Sequence, residues 1–509
     1  MRKKTAVKNS MIGLISKLIT MVLSMVSMKI FTRELGIEIR GLNSVFTNCL
    51  SLLQLTELGI GSAIIYALYN PLAENNTKEI QILMNLYKKI YRYIGIIVVG
   101  LGIVLSFFIE FFVTDTQYSK EYLLLIFFIQ LLSSASTYFL AYKRNLIYAD
   151  QKMYVNTLVD MMCYIVATIA RIAVMLTLKS YVVYLLVQVV QTIISNLLIN
   201  HWCNKQYPYL KEKVIAAYDK VDELKNNVKN LIVGKISGLV YSSTDNLIIS
   251  KFIGILQVGY MAGYYDAVNI LKMLSSSITE PIQPILGNLV QVEKDKKRVL
   301  DVFMTCTFIR YCIANIISVG AVIMLNPLIQ IWLGKEYVLA GTISVLMALD
   351  MFIAVVHGPT GEMISVLGLF QKDKVISIIG MLINLGFSII LVFKLEVVGV
   401  LVGTVLAQSF YWFSRAFVVF QDYFNGYEKK YVQRIFEYIV VWAVDVVILN
   451  MIKNKYMENV NLGTFVVMGC MCIIVSSISI FVGFYHTAEF KEAWEIVMSV
   501  LKVKKKKYM

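Results

Sequence analysis

Fourteen times along its 509 residues the chain runs apolar for about twenty residues, the length a helix needs to cross the hydrocarbon core of a bilayer. The runs fall at 11–33, 41–66, 93–113, 122–141, 157–177, 182–202, 230–251, 260–285, 311–331, 340–360, 375–395, 400–420, 436–453 and 463–485. Backbone polar groups inside lipid must be satisfied within the protein, and runs of this length do so as helices. The 58% share of hydrophobic residues, against 16% charged, is too apolar for a soluble domain. An all-α, polytopic membrane protein of about 14 transmembrane helices follows.

The first half of the pattern returns 218 residues later. Lys17, Thr20, Ser24 and Ser27 are matched by Lys235, Gly238, Ser242 and Asp245, and Gly36 and Gly41 by Gly254 and Gly259. Arg92 falls on Arg310, while Gln151-Lys152 comes within two residues of matching Gln371-Lys372. An internal repeat decides architecture before local pattern does. Six spans per copy is an even number, so the copies insert with the same orientation, related by an axis along the membrane normal, and a substrate site is expected between them near the midplane. The division is therefore 1–202, a six-helix lobe; 203–229, an amphipathic cytoplasmic linker; 230–420, a second and pseudo-symmetric six-helix lobe; and 421–509, two further C-terminal helices with a basic tail.

The net charge of +15 comes from Lys and Arg placed between apolar runs, where they act as topology signals and not as a nucleic-acid footprint. The positive-inside rule puts both termini in the cytoplasm and the protein in the cell membrane. Phe490, Trp494, Ile496, Val497, Val500 and Leu501, followed by Lys504 to Lys507, read as an interfacial helix ending in a polybasic clamp. The Asn75-Asn76-Thr77 sequon lies on the cytoplasmic side and is discarded as a glycosylation site. No paired cysteine spacing, metal-ligand motif, phosphate-cradling loop or nucleophile elbow is present, and the outer loops are short, so neither an enzyme nor a cofactor is expected.

Charges inside a bilayer are functional candidates because they cost several kcal/mol unless paired or hydrated. Lys29, Arg33, Lys251, Lys394, Arg415 and Lys453 sit near span ends, where they snorkel to the headgroups. Lys17 and Lys235 head polar stripes at helical spacing, and that repeat-related stripe favours two walls of a hydrated cavity over anchoring. Lys272 is mid-span, its counterpart is Gln54, and Glu57 lies one turn further on. Asp266, Glu280, Pro281 and Pro284 interrupt the eighth span, the prolines predicting a break. Asp160, Arg171, Asp350, His357 and Asp445 are scattered over other spans, Arg171 being expected to pair with an acid and His357 to be a packing residue. The Gly259-x3-Gly263 and Gly399-x3-Gly403 spacings predict close helix contacts.

Three stretches carry a resemblance: Leu35-Gly36 with Gly41-Leu42, Glu57-Leu58-Gly59-Ile60-Gly61, and Ser243-Thr244-Asp245-Asn246-Leu247-Ile248-Ile249-Ser250-Lys251-Phe252-Ile253-Gly254 running into Val258-Gly259-Tyr260. Over essentially its whole length the chain resembles the polysaccharide flippases of the multidrug/oligosaccharidyl-lipid/polysaccharide exporter superfamily. The resemblance implies two six-helix lobes forming a V whose cavity opens alternately to each side. It implies as substrate an undecaprenyl-pyrophosphate-linked oligosaccharide, flipped outward for cell-surface polysaccharide synthesis. Partners would be that lipid-linked oligosaccharide, membrane lipids, Na+ or H+ as a coupling ion, and other polysaccharide-assembly proteins. Lys17, Lys235 and Lys272 suit the pyrophosphate; Ser24, Gln54 and Ser242, with Thr20, suit sugar hydroxyls; Glu57 and Asp245 are expected to hold the lysines in the empty site. An inside-negative potential favours outward movement of an anion by about 2.3 kcal/mol per charge per 100 mV, with no ATP motif required. Two alternatives stand beside this reading. A cation-coupled multidrug exporter of the same superfamily predicts an acidic or aromatic cavity, and a membrane glycan polymerase or ligase predicts a sizeable catalytic outer loop.

Overall fold

The computed structural model describes residues 2–53, 60–211, 243–280, 282–456 and 460–507. It is helical throughout, with no strand among the described residues. The principal helices are α1 (Arg2–Leu35), α2 (Ile37–Leu53), α3 (Ile60–Ala73), α4 (Thr77–Ser106), α5 (Lys120–Leu140), α6 (Met153–Thr177) and α7 (Tyr181–Gln206). After residues 212–242, which lie outside the described set, come α8 (residues 243–252), α9 (Ile255–Thr279), α10 (Lys296–Trp332), α11 (Gly341–Val356), α12 (Phe370–Asp422), α13 (Glu428–Tyr456), α14 (Leu462–Phe484) and α15 (Ala488–Lys507). Ten helices among the described residues are long and apolar enough to span a membrane. One of these, α12, is two spans joined at Glu396, whose φ of 51° reverses the backbone.

The chain divides into two compact units, Met1–Gly259 and Tyr260–Met509. In the first, α1 runs along α6, while α5 and α7 pack together, with α6 against α7 and α4 against α5. Its core includes Phe31 set edge-on to Tyr181 and Tyr184. In the second, α10 is the central post, contacted by α11, α13, α14 and α15, and Tyr311 stacks on Tyr438 at 4.0 Å. Lipid removes the hydrophobic drive between helices, so such dispersion contacts and small-residue approaches carry the packing.

The repeat is written in the backbone as well as the side chains. Positive φ recurs at Gly36 (89°) and Gly254 (120°), Asp115 (54°) and Gly334 (135°), Gln151 (61°) and Gly368 (71°), and Lys179 (48°) and Glu396 (51°), each pair within one residue of the 218-residue offset. The backbone thus sets Gln151 against Gly368 and not against Gln371. Asn76 caps α4 by accepting from the Glu79 amide (3.2 Å), and Asp295 caps α10 by accepting from Lys297 (2.9 Å). These caps start both helices well before the apolar runs predicted at 93 and 311, and they place Arg92 and Arg310 within helices instead of ahead of them.

Glycine is required where α2 meets the start of α9. A Cβ on Gly41 would strike the carbonyl of Ile255, and one on Gly259 would strike the carbonyl of Ile37. The contact is reciprocal in repeat register, since 37 matches 255 and 41 matches 259. Thr114 fixes the same region by donating to the Ser250 carbonyl (2.5 Å), and Ser51 Oγ lies 2.8 Å from Ser243 Oγ. Gly399 and Gly403 likewise let the two arms of α12 close, against Leu391 and Ser388. The predicted break in the eighth span is present: α9 ends at Thr279 and a new helix starts at Ile282.

The tail expectation changes in one respect. The helix is present as α15, but it is also docked on protein: Glu489 is buried, facing Arg434 (3.4 Å) and Lys430 (3.6 Å), and Thr305 on α10 donates to Glu492 (2.6 Å). Trp494 and Ile496 remain exposed. The linker expected over 203–229 falls mostly outside the described residues.

Candidate functional site

Of the eight residues expected to contact substrate, Gln54, Glu57, Lys235 and Ser242 lie outside the described residues. Lys17 is exposed on α1, Ser24 is half-buried, and Ser27 further along the same stripe is buried. Thr20 is half-buried and returns its hydroxyl to the Ser16 carbonyl (2.8 Å). Asp245 is buried on α8 within the first unit. Although α9 has 25 residues, enough to cross a bilayer, it is too polar to count among the ten apolar spans. A helix of that length and polarity needs water or protein along one face.

Lys272, two-thirds of the way along α9, meets Asp350 of α11 at 2.9 Å. The lysine side chain is 41% exposed and the aspartate 12%, so the pair has one open partner and one closed. Expectation gave the lysine-holding role to Glu57 and Asp245. Glu57 lies outside the described residues, and a carboxylate that the structure does set against Lys272 is Asp350, 78 residues away in sequence. The signal available in the sequence was a mid-span charge of opposite sign in each of two apolar runs, Lys272 in 260–285 and Asp350 in 340–360.

Other charges of the second unit are bound into its core. Arg310 donates to Glu362 and to the Thr279 carbonyl (3.3 Å), clamping the end of α9 to α10 and to the helix Gly358–Val366. Arg415 and Asp373 join the two arms of α12 at 2.7 Å. His357 is buried with its Nε2 3.2 Å from the Gln408 amide nitrogen, in keeping with a packing residue. Asp445 accepts from the Asn315 amide at 2.7 Å.

In the first unit Asp160 is forked by Arg144 at 2.7 and 2.9 Å, and Ser195 and Asn196 complete the network. Arg171 does not pair with an acid as expected. Its guanidinium lies over Tyr164 and Tyr184, 5.4 and 5.5 Å from the ring centres, and donates to Thr168 (3.0 Å); among the described residues the aromatic faces of α6 and α7, and not a carboxylate, receive its charge.

One feature of this unit escaped the sequence reading. A cavity of about 310 Å³ is lined by Thr47 and Leu50 of α2, Gln130, Ser133, Ser134, Thr137 and Tyr138 of α5, and Gln188 of α7. Gln130 donates to Tyr181 Oη (2.8 Å), which donates to Asn43 (3.0 Å), and Ser133 lies 3.3 Å from Thr192. The lining carries hydroxyls and amides and no ionisable group other than the Tyr138 phenol. Singly, each of these residues is an ordinary polar interruption of an apolar run; only their convergence from three helices makes a site.

Two compact units of membrane-spanning helices with a repeat-related backbone define a polytopic transporter fold. Residues 6–290 match the family of polysaccharide biosynthesis proteins, and the chain belongs to that family. Its fold is similar to that of the lipid II flippase MurJ in an inward closed conformation (14% identity, covering 92% of this chain and 97% of that one, TM-score 0.68). Similar too are an inward-facing multidrug resistance MATE family transporter of the MOP superfamily (12%, 79% and 94%, 0.58) and a MOP superfamily transporter from Pyrococcus furiosus (13%, 82% and 96%, 0.54). No curated protein sequence matches the chain.

Proposed function

We propose that the protein flips undecaprenyl-pyrophosphate-linked oligosaccharide from the cytoplasmic to the outer leaflet of the cell membrane, by alternating access, for cell-surface polysaccharide synthesis. The observation that carries the proposal is the Lys272–Asp350 pair. A cation held mid-helix by a carboxylate, on a side chain that is 41% exposed, is a group that an incoming pyrophosphate competes for. Asp350 holds the lysine in place while no anion is bound, and Lys17 and Lys235 are the further candidates for phosphate contact. Membership of a polysaccharide biosynthesis family and the likeness of fold to a lipid II flippase support the same reading. The outward step moves negative charge down the membrane potential, a gain of about 2.3 kcal/mol per charge per 100 mV. Both termini are then cytoplasmic, and coupling to Na+ or H+ and association with other polysaccharide-assembly proteins belong to the same scheme.

The test is reconstitution into proteoliposomes with a fluorescent undecaprenyl-pyrophosphate oligosaccharide whose label is quenched only in the outer leaflet. Quenching beyond the outer half should depend on the protein, speed up with an inside-negative potential, and fall at least tenfold in Lys272→Ala. Export of cationic dyes with no movement of the lipid would mean a multidrug exporter instead, and lengthening of the glycan in detergent would mean a polymerase.

A further inference from the structure

The polar lining of the neutral cavity in the first unit is not repeated at the matching positions of the second, and that asymmetry gives it meaning. At the 218-residue offset its polar lining positions Thr47, Gln130, Ser133, Ser134, Thr137 and Gln188 correspond to Tyr265, Ala348, Met351, Phe352, Val355 and Leu406. All are apolar or aromatic, and a shift of one residue either way brings in no hydroxyl of Ser or Thr and no amide, only the carboxylates Asp266 and Asp350. Ala348, Met351 and Phe352 are closed into the core of the second unit. The fold therefore builds the matching helix contact without these hydroxyls and amides, and the packing does not call for six such side chains in the first copy.

Their state points to a ligand. Gln130 and Ser133 are more than nine-tenths buried, and Gln130 is fixed by Tyr181. Thr47 and Thr137 are exposed, and the side chains of Thr47, Ser134 and Gln188 make no hydrogen bond to any other described residue. All lie within the apolar runs 41–66, 122–141 and 182–202, where unsatisfied donors cannot face lipid without cost. With no charged lining residue the cavity suits neither a pyrophosphate nor a cationic drug, and its polarity rejects an acyl chain. At about 310 Å³ it is at the low end of the usual range for small-molecule sites, roughly 300–1,000 Å³. We infer that Thr47, Gln130, Ser133, Ser134, Thr137 and Gln188 form a sugar subsite that takes one uncharged sugar residue of the transported glycan, recognising its hydroxyls and N-acyl group through hydroxyl and amide hydrogen bonds. The inference rests on the proposed function and adds the place and chemistry of glycan recognition: a neutral pocket in the first unit, separate from the lysine that meets the pyrophosphate.

Binding of two probes to the full-length protein in nanodiscs separates the two ideas: bare undecaprenyl pyrophosphate, and the same lipid carrying one N-acetylglucosamine. The wild type should bind the sugar-bearing lipid at least tenfold more tightly, as two or three hydrogen bonds would give. Thr137→Val, an isosteric change at an exposed position, should reduce that preference several-fold, and Ser134→Ala/Thr137→Val/Gln188→Leu should abolish it, with the Kd for the bare lipid unchanged in both. Thr137→Ser should retain it. Equal binding of the two lipids by the wild type, or a preference surviving in the triple variant, overturns the subsite while leaving flipping intact. Binding of neither lipid overturns the proposed function and the subsite with it.

Discussion

Neutralising Lys272 and Asp350 one at a time and together separates what the pair does for the fold from what the lysine does for substrate. At 2.9 Å the bare attraction at an effective dielectric of about 20 is several kcal/mol, but desolvation and side-chain ordering oppose it. Exposed pairs retain about 0.2–1 kcal/mol, and breaking a buried pair costs about 3–5 kcal/mol. With one partner 41% and the other 12% exposed, this pair falls between, at about 1–3 kcal/mol. The two single changes are not equivalent. Lys272→Met strands the more buried carboxylate and should cost about 2–4 kcal/mol, whereas Asp350→Asn leaves a lysine that water reaches and should cost about 1 kcal/mol. The double variant should return to within about 1 kcal/mol of wild type, because no buried charge is left uncompensated. Reversible unfolding in bicelles measures these differences, and surface polysaccharide in cells lacking the native gene measures transport. The double variant should be stable and inactive. If it restores surface polysaccharide, Lys272 is not an anion contact; if Asp350→Asn and Lys272→Met are both without effect on stability, the pair is not holding the site.

Two other changes probe the frame around the site. Gly259→Leu should destabilise by about 1–3 kcal/mol or prevent assembly, because its side chain enters the space of the Ile37 carbonyl; a monodisperse protein of unchanged unfolding midpoint would contradict the reciprocal glycine contact. Glu489→Ala should loosen α15 from α13 by about 1–2 kcal/mol, read as faster tryptic cleavage at Lys491, since Arg434 keeps Glu437 at 2.6 Å but loses its tie to the tail helix; cleavage at the wild-type rate would show that α15 is held elsewhere.

The resemblance had its strongest support in stretches where sequence and backbone agree most closely. Gly36 and Gly254, matched by the repeat, both take positive φ, and the matched Gly41 and Gly259 make the close approach. Such positions are legible because a turn or a missing Cβ acts on the backbone locally, whatever lies far off in sequence. Helix starts were less legible, since Asn76 and Asp295 carry α4 and α10 beyond the apolar core by capping, a side-chain effect that hydropathy does not register.

By itself, the sequence determined a helical membrane protein with a repeated plan, because span length and the 218-residue offset are properties of one chain read end to end. The tertiary structure decided partners. Lys272 took Asp350, Arg171 took two tyrosine faces, and six unremarkable hydroxyls and amides from α2, α5 and α7 became one pocket. A charge or hydroxyl in an apolar run announces that it needs a partner, and which group supplies it depends on helix rotation and packing that no local pattern records.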